Sequence, residues 1–222
     1  MKLVDTLEEQ QLLEEVLERS KPAVPASCDG LDPLLYTPFR YDTAYPHGSR
    51  FRRAGATEGC FYGADAPETA IAETAFYRLL FFLESPDTKL PGSPLEMTAF
   101  SVQVNAGRMV NLAAAPLDRD AALWTHPTDY EPCQRLADAA RQAGVEVIRY
   151  LSVRDPQGGL NLALLDPAAF ASRAPGSRQT WHLFIKPRAV QAFCEMPRGT
   201  IEFALEGWAA DPRVARLLTC GA

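Results

Sequence analysis

No run of 18 apolar residues occurs in this chain. A helix that crosses a bilayer needs about that length. The most apolar segment, residues 70–83, is shorter and carries Glu73 and Arg78, so no membrane partner is expected. Positive charge is scarce as well. There are 22 Lys and Arg against 28 Asp and Glu, a net charge of −6 and a pI of about 5.2. Non-specific nucleic-acid binding rests on a basic footprint, which this composition lacks. Cysteine is thinly spread: five residues, at 28, 60, 133, 194 and 220, with no CxxC pair and no Cys/His cluster. His47, His126 and His182 share no metal-ligand spacing. No metal is therefore expected, and the thiols read as reduced ones in the cytoplasm. The first turns hold Asp5, Glu8, Glu9, Glu14 and Glu15 in place of a basic start and an apolar run, so no signal peptide is expected. Also missing are GxSxG, HExxH, GxxxxGK[ST] and GxGxxG. The common hydrolase, zincin, P-loop and dinucleotide-fold chemistries thus have no sequence support.

With 222 residues, 47% of them hydrophobic, the chain can bury a sizeable core in one domain with an appendage. Residues 3–20 place Leu3, Leu7, Leu12, Val16 and Leu17 at helical spacing on an acidic segment. That pattern predicts a packed surface helix, or one that meets a partner. A Pro-rich connector follows, so residues 1–34 divide off as helix and connector from a single domain over 35–222. Residues 35–41 read as extended, and a polar loop holds Arg50, Arg52 and Arg53. Strands are predicted over 97–104, 109–112, 145–153, 160–166, 180–186, 188–195 and 200–204. Helices are predicted over 131–143 and about 211–218, with a loop or short helix over 116–130. Gly144 suits a helix C-terminus. Antiparallel-looking strands with a few helices predict an α+β fold.

The chain is organised around residues 61–82, FYGADAPETAIAETAFYRLLFF. A strand ends at Tyr62, Gly63-Ala64 turns the chain, and a helix opens. Asp65 is its predicted N-cap, Glu68 completes a capping box, and Pro67 suits the first turn. The helix is apolar almost all round, so it should be buried. Glu73 then falls among Phe76, Tyr77 and Leu80. A buried carboxylate costs several kcal/mol unless a donor or a cation meets it. Arg78, the helix's one basic residue, lies about 140° away around the helix. Glu73 therefore either reaches water or faces a site built by other segments. Other polar residues lie dispersed among apolar strands: Arg40 between Phe39 and Tyr41, Arg50 in GSRF, Tyr62 at a strand end and Ser152 in YLSVR.

The stretches TPFRY, GSRFR, FYGADAPETAIAETAFYR and IRYLSVRDPQGGLNLALLDP come in an order that resembles the RES-domain family, over roughly residues 35–170. The resemblance implies an ADP-ribosyltransferase-like fold of mixed and antiparallel sheets with flanking helices. It also implies a toxin that consumes NAD and is neutralised by a cognate Xre-type antitoxin, in a complex where the toxin could be a homo-oligomer. The family's first Arg falls on Arg40, its second on Arg50 (with Arg52 as the alternative), its Tyr on Tyr62, its Glu on Glu73 and its Ser on Ser152. Arg40, Glu73 and Ser152 are then the catalytic set, and Arg40, Arg50, Tyr62 and Ser152 the NAD-binding set. The residue types suit NAD. Arginine forks bind pyrophosphate, and one ionised carboxylate stabilises an oxocarbenium-like ribose. A Tyr ring stacks on nicotinamide or ribose. The acceptor of ADP-ribose stays open between a protein, water and phosphate. A non-catalytic nucleotide-binding or interaction protein of the same fold is the alternative.

Overall fold

The computed structural model describes residues 4–41, 48–85 and 87–220. The remaining part of the polar loop predicted after residue 41, with His47, lies outside the described residues, as does Leu3. The fold is α+β, with two four-stranded sheets. The first holds, in spatial order, β1 (Phe61–Ala64), β5 (Leu160–Leu164), β4 (Val147–Leu151) and β3 (Met109–Asn111). Its β3–β4 pair is parallel and the others antiparallel. The second sheet runs β2 (Leu95–Phe100), β6 (Arg178–Lys186), β7 (Ala189–Cys194) and β8 (Gly199–Ala204), all antiparallel.

Helix α3 (Pro67–Leu83) connects the edge strands of the two sheets. It is buried on one face only, not all round as its composition predicts: Tyr77 and Phe81 are 48% and 54% exposed on the other. Ile71, Ala72, Ala75, Phe76, Leu79 and Leu80 pack with Trp181, Leu183, Val190 and Phe203 of the second sheet. The first sheet is covered on both faces. Ile148, Tyr150 and Ala163 meet Cys133, Ala137 and Ala140 of α5 (Glu131–Gln142). Val147, Leu164 and Phe61 meet Leu35 and Phe39 on the other face. Gly144 follows α5 at φ +68°, the left-handed conformation a helix stop uses. The interval 116–130 holds a 3-10 turn and α4 (Ala121–Trp124).

Four local expectations are corrected. Residues 35–41 are not extended: Pro33–Arg40 form helix α2. The Asp32 carboxylate accepts from Leu34 N at 2.8 Å, Pro33 takes the first helical position, and Leu35 and Phe39 bury one turn apart. Tertiary burial of that pair outweighs the break that Pro38 signals. Strand β1 does not end at Tyr62, because Gly63 and Ala64 continue the ladder opposite Leu162 and Asn161. Asp65 does not cap α3; Ala66 holds the cap position without a side-chain bond, and Asp65 pairs with Arg149 of β4 instead. Strand β2 covers 95–100 and stops short of Val102, with Val104 in a lone bridge to Phe170.

The N-terminal helix, α1 (Leu7–Ser20), begins at a capping box between Thr6 and Glu9. It is not packed as expected: none of its residues is buried, and Leu7 is 82% exposed. Its hydrophobic stripe is real in sequence, but no facing element receives it among the described residues.

The C-terminal segment is tied to the first sheet by one buried ion pair. Arg154, beyond β4 and 2% exposed, meets Asp211 at 2.9 Å, at the start of α6 (Pro212–Cys220). Its guanidinium lies 3.9 Å from the centre of the Phe76 ring and donates to Pro127 O at 2.6 Å. Its carbonyl accepts from Trp208 Nε1 at 2.7 Å. Burial pushes the Asp211 carboxyl up, but hydrogen bonds from Arg213 and the charge of Arg154 outweigh it and hold the group below its usual value. A depressed carboxyl stabilises the fold above its unfolded pKa and loses that contribution as pH falls through the folded one. Asp211→Ala should cost about 3–5 kcal/mol in urea unfolding at pH 7, because Arg154 is left charged and unpaired. The gap between parent and variant should close as the pH is taken below the usual carboxylate range. A gap that persists unchanged into acid would refute the ionic tie.

Candidate active site

Glu73 sits half-buried on α3, beside the apolar face of the helix. Its Oε1 accepts two hydrogen bonds of 2.7 Å, from Ser152 Oγ and from Asn161 Nδ2. The cost of placing a carboxylate there is met by donors from two other strands' ends, not by a cation. Ser152 stands just past β4 and is itself fully committed. Its oxygen accepts from Arg154 N at 3.1 Å and Asp155 N at 3.0 Å while its hydrogen goes to Glu73. A hydroxyl has one hydrogen to give, so Ser152 has none left for a ligand. Glu73 Oε2, by contrast, takes no hydrogen bond among the described residues. Glu73 lines an open groove with Thr74, Tyr77, Arg78, Phe81 and Met97.

The turn that carries Ser152 is fixed to α3 a second time. Thr69 Oγ1 donates to Asp155 Oδ2 at 2.7 Å. Gly159 closes the turn so near that an added β-carbon would lie 2.0 Å from Thr69 Oγ1; only glycine fits this approach.

Asn161 is 3% exposed and faces Tyr150 across the β4–β5 ladder and Ala64 across β5–β1. Burial and then the Glu73 charge push the Tyr150 phenol well above its ordinary value, so it stays neutral. Sequence reasoning missed Asn161. The available signal was a polar residue at an inward position of LNLAL, in register with Ala163. It also missed Tyr77, one turn beyond Glu73, whose phenol burial and Tyr130 push up to about 12. The two phenol oxygens lie 3.4 Å apart.

Tyr62 presents a partly open ring, 38% of the residue being exposed. Its hydroxyl is tethered: it lies 2.8 Å from Ser49 Oγ and accepts from Phe51 N at 3.0 Å. Burial holds this phenol, too, well above its ordinary range. Tyr62 lines a cavity of about 410 Å³ between β1, α3 and β2, with Asp65, Thr74 and Gln179 among its polar walls. Arg50, one residue from Phe51, is buried. Its two terminal nitrogens donate to Trp124 O at 2.8 Å and His126 O at 3.0 Å, and its guanidinium stands 4.7 Å from the Tyr130 ring centre. Arg52 donates to Tyr41 O and Ala56 O, at 2.7 and 2.9 Å.

Glu73 and Ser152 are thus in direct contact, and Tyr62 and Arg50 meet through the 49–51 segment. Arg40 is not brought to them. It ends α2, which packs on the face of the first sheet opposite Tyr150 and Ala163. Its Nη1 meets Glu18 Oε1 at 2.5 Å and its Nε donates to Pro22 O at 2.6 Å. No three His, Cys, Asp or Glu side chains cluster as metal ligands among the described residues. Nor is any helix among them long and apolar enough to cross a membrane.

The Asn161 bond has a pH signature. Asn161→Asp would set a second carboxylate beside Oε1, and two carboxylates at that distance resist joint ionisation. A carboxyl raised in the folded state leaves stability intact below its unfolded pKa and removes it as pH rises. The variant's urea midpoint should match the parent's near pH 4 and fall progressively behind it by pH 8. An equal deficit at every pH would refute the Glu73–Asn161 contact.

The geometry has one centre: a carboxylate on a buried helix, with one oxygen locked by a hydroxyl and an amide and the other left open beside a groove. A search of curated proteins finds no match to the chain. The family model for the RES domain matches residues 25–185, from the connector after α1 into β6. RES domains are associated with NAD-related toxin function and are commonly paired with an antitoxin. The match covers most of the chain and takes in Arg40, Arg50, Tyr62, Glu73 and Ser152, so this chain belongs to the RES-domain family.

Proposed function

We propose that this chain is an NAD-consuming toxin that breaks the bond between nicotinamide and ribose. The observation that carries this is the asymmetry of Glu73. Two donors at 2.7 Å hold Oε1, and Oε2 remains to accept from a ribose hydroxyl. An ionised carboxylate so placed stabilises positive charge as it develops on the ribose during bond cleavage. Nicotinamide leaves with the bonding electron pair. The ribose carbon is then taken by water, by phosphate or by a protein side chain, and the proton of a water or side-chain acceptor passes to solvent. Hydrolase, phosphorylase and ADP-ribosyltransferase chemistry therefore share this site and differ only in the acceptor.

The remaining residues take supporting roles. The open Tyr62 ring is suited to stack on a planar base, and Arg50, already bound to two carbonyls, shapes the loop that holds Tyr62. Ser152 and Asn161 act as positioning residues on Glu73. Arg40 is left out of the proposed site, because α2 holds it on the opposite face of the first sheet with its donors on Glu18 and Pro22 O. The domain is proposed to span 35–222, with an ADP-ribosyltransferase-like arrangement of the two sheets. Cytoplasmic action suits Cys28, Cys60, Cys133 and Cys194, all free thiols. A cognate antitoxin of the Xre type is the proposed partner, occluding the groove beside Glu73.

Purified protein should be incubated with NAD, with and without phosphate and cell lysate. Free ADP-ribose, a phosphorylated ADP-ribose or labelled protein would each name the acceptor. Glu73→Gln keeps an oxygen for Ser152 and Asn161 and should fold, but turnover should fall by about a hundredfold or more, and toxicity on expression should vanish. Ser152→Ala should lower kcat and leave KM nearly unchanged, because Ser152 acts through Glu73. Equal growth inhibition by parent and Glu73→Gln would end the proposal, and a KM effect alone in Ser152→Ala would return that hydroxyl to the ligand.

A further inference from the structure

Three arginines that the sequence offers for a phosphate are committed to the chain itself. Arg40 donates to Glu18 and Pro22 O, Arg50 to Trp124 O and His126 O, and Arg52 to Tyr41 O and Ala56 O. None of them lines the groove beside Glu73 or the cavity beside Tyr62. Arg78 lines the groove. Among the described residues it is the only cationic side chain on the walls of either. It is exposed, and no carboxylate or carbonyl among those residues accepts from it. Along α3, Glu73, Tyr77 and Phe81 form one row of the groove wall, and Thr74 and Arg78 form the next. Arg78 therefore stands about 7.5 Å along the helix axis from Glu73. The turn of about 140° between them keeps the two charges from joining as an ion pair, yet both line one groove.

We infer that Arg78 is the phosphate-binding arginine of this site, holding the pyrophosphate of NAD while Glu73 Oε2 holds a ribose hydroxyl. The inference rests on the NAD reading of the Glu73 groove. A guanidinium presents a flat fork of donors that meets two phosphate oxygens at once, and among the described residues nothing competes for that of Arg78. The spacing suits the ligand. In a 5′-nucleotide the phosphate stands a few ångströms beyond the ribose hydroxyls. A ribose at Glu73 thus brings it within reach of a long side chain less than two turns along the helix. The charges suit it as well. The protein carries a net charge of −6, and Glu73 by itself would repel a polyanion from the groove. Arg78 offsets that repulsion where the phosphates would lie. Tyr77, between the two on the wall, adds no negative charge, because burial and Tyr130 push its phenol up to about 12. The fold makes no use of Arg78, so its charge is available to a ligand.

The full-length parent and Arg78→Gln should be compared by calorimetric titration with NAD and with nicotinamide riboside, which lacks the pyrophosphate. Loss of a charge-assisted bond to phosphate predicts about tenfold weaker NAD binding in the variant and unchanged binding of nicotinamide riboside. The parent's NAD affinity should fall more steeply with added salt than the variant's. Arg78→Lys should recover part of the loss, with a point charge in place of a fork. The urea midpoint of Arg78→Gln should match the parent's, because no partner is left unpaired. NAD bound as tightly by Arg78→Gln as by the parent would overturn the assignment and leave the NAD reading standing. Equal salt slopes in the two proteins would do the same, as would equal weakening of NAD and nicotinamide riboside, which would make Arg78 a part of the wall and not a phosphate site. A parent that binds no NAD would end the NAD reading, and the role of Arg78 with it.

Discussion

Arg154 is the residue through which the parts of this molecule are held in relation. Its guanidinium lies on Phe76 of α3, pairs with Asp211 ahead of α6 and reaches Pro127 in the loop before α5. Its amide donates to Ser152 Oγ, which donates to Glu73. A guanidinium is suited to this because it has five donors in one plane and an apolar face that accepts an aromatic ring. Buried at 2% exposure, it is also intolerant of losing its acid. The same geometry that binds the C-terminal segment to the first sheet therefore sets the direction of the hydroxyl behind Glu73.

The site follows from how a single carboxylate is made acceptable inside an apolar helix. A cation beside Glu73 would neutralise it and reduce its field at the groove. Two neutral donors on one oxygen stabilise the charge and leave it in place. They come from the end of β4 and the start of β5, adjacent strands whose register sets Asn161 opposite Tyr150. The turn between those strands is docked on the first turn of α3 through Thr69 and Asp155, so helix and sheet edge are joined twice within a short distance. That double attachment limits rotamer freedom at Glu73, and positioning of this kind is what electrostatic stabilisation of a developing charge requires.

The arginines show a different logic. Arg40, Arg50 and Arg52 were legible as candidates, through the order of the motifs that carry the family resemblance. Their partners were not. Arg50 is consumed by two backbone carbonyls from the segment around α4, and Arg40 by a carboxylate from a helix outside the matched family stretch. Whether such a guanidinium serves a ligand or its own chain depends on which acceptor is nearer, and sequence spacing carries no information on that when the partners lie 22 or 74 residues away.

By itself the sequence determined the α+β class, the helix with its lone Glu73, the three strands that end the second sheet and the helix stop at Gly144. Each is a local matter, of hydrophobic period, turn chemistry and the conformational freedom of glycine. It also carried the family, through motifs whose order is visible in one dimension. It misplaced α2, because Pro38 is a strong local signal and the burial of Leu35 and Phe39 that outweighs it is not local. It assigned Asp65 to a cap when a cross-strand arginine was the stronger partner. Only the tertiary structure decided that Asn161 joins Ser152 on Glu73, that Ser152 has no hydrogen left for a ligand, and that Arg40 is closed by Glu18. Those are questions of which polar groups meet across distant segments, and hydrogen-bond partners are set by packing in three dimensions, not by spacing along the chain.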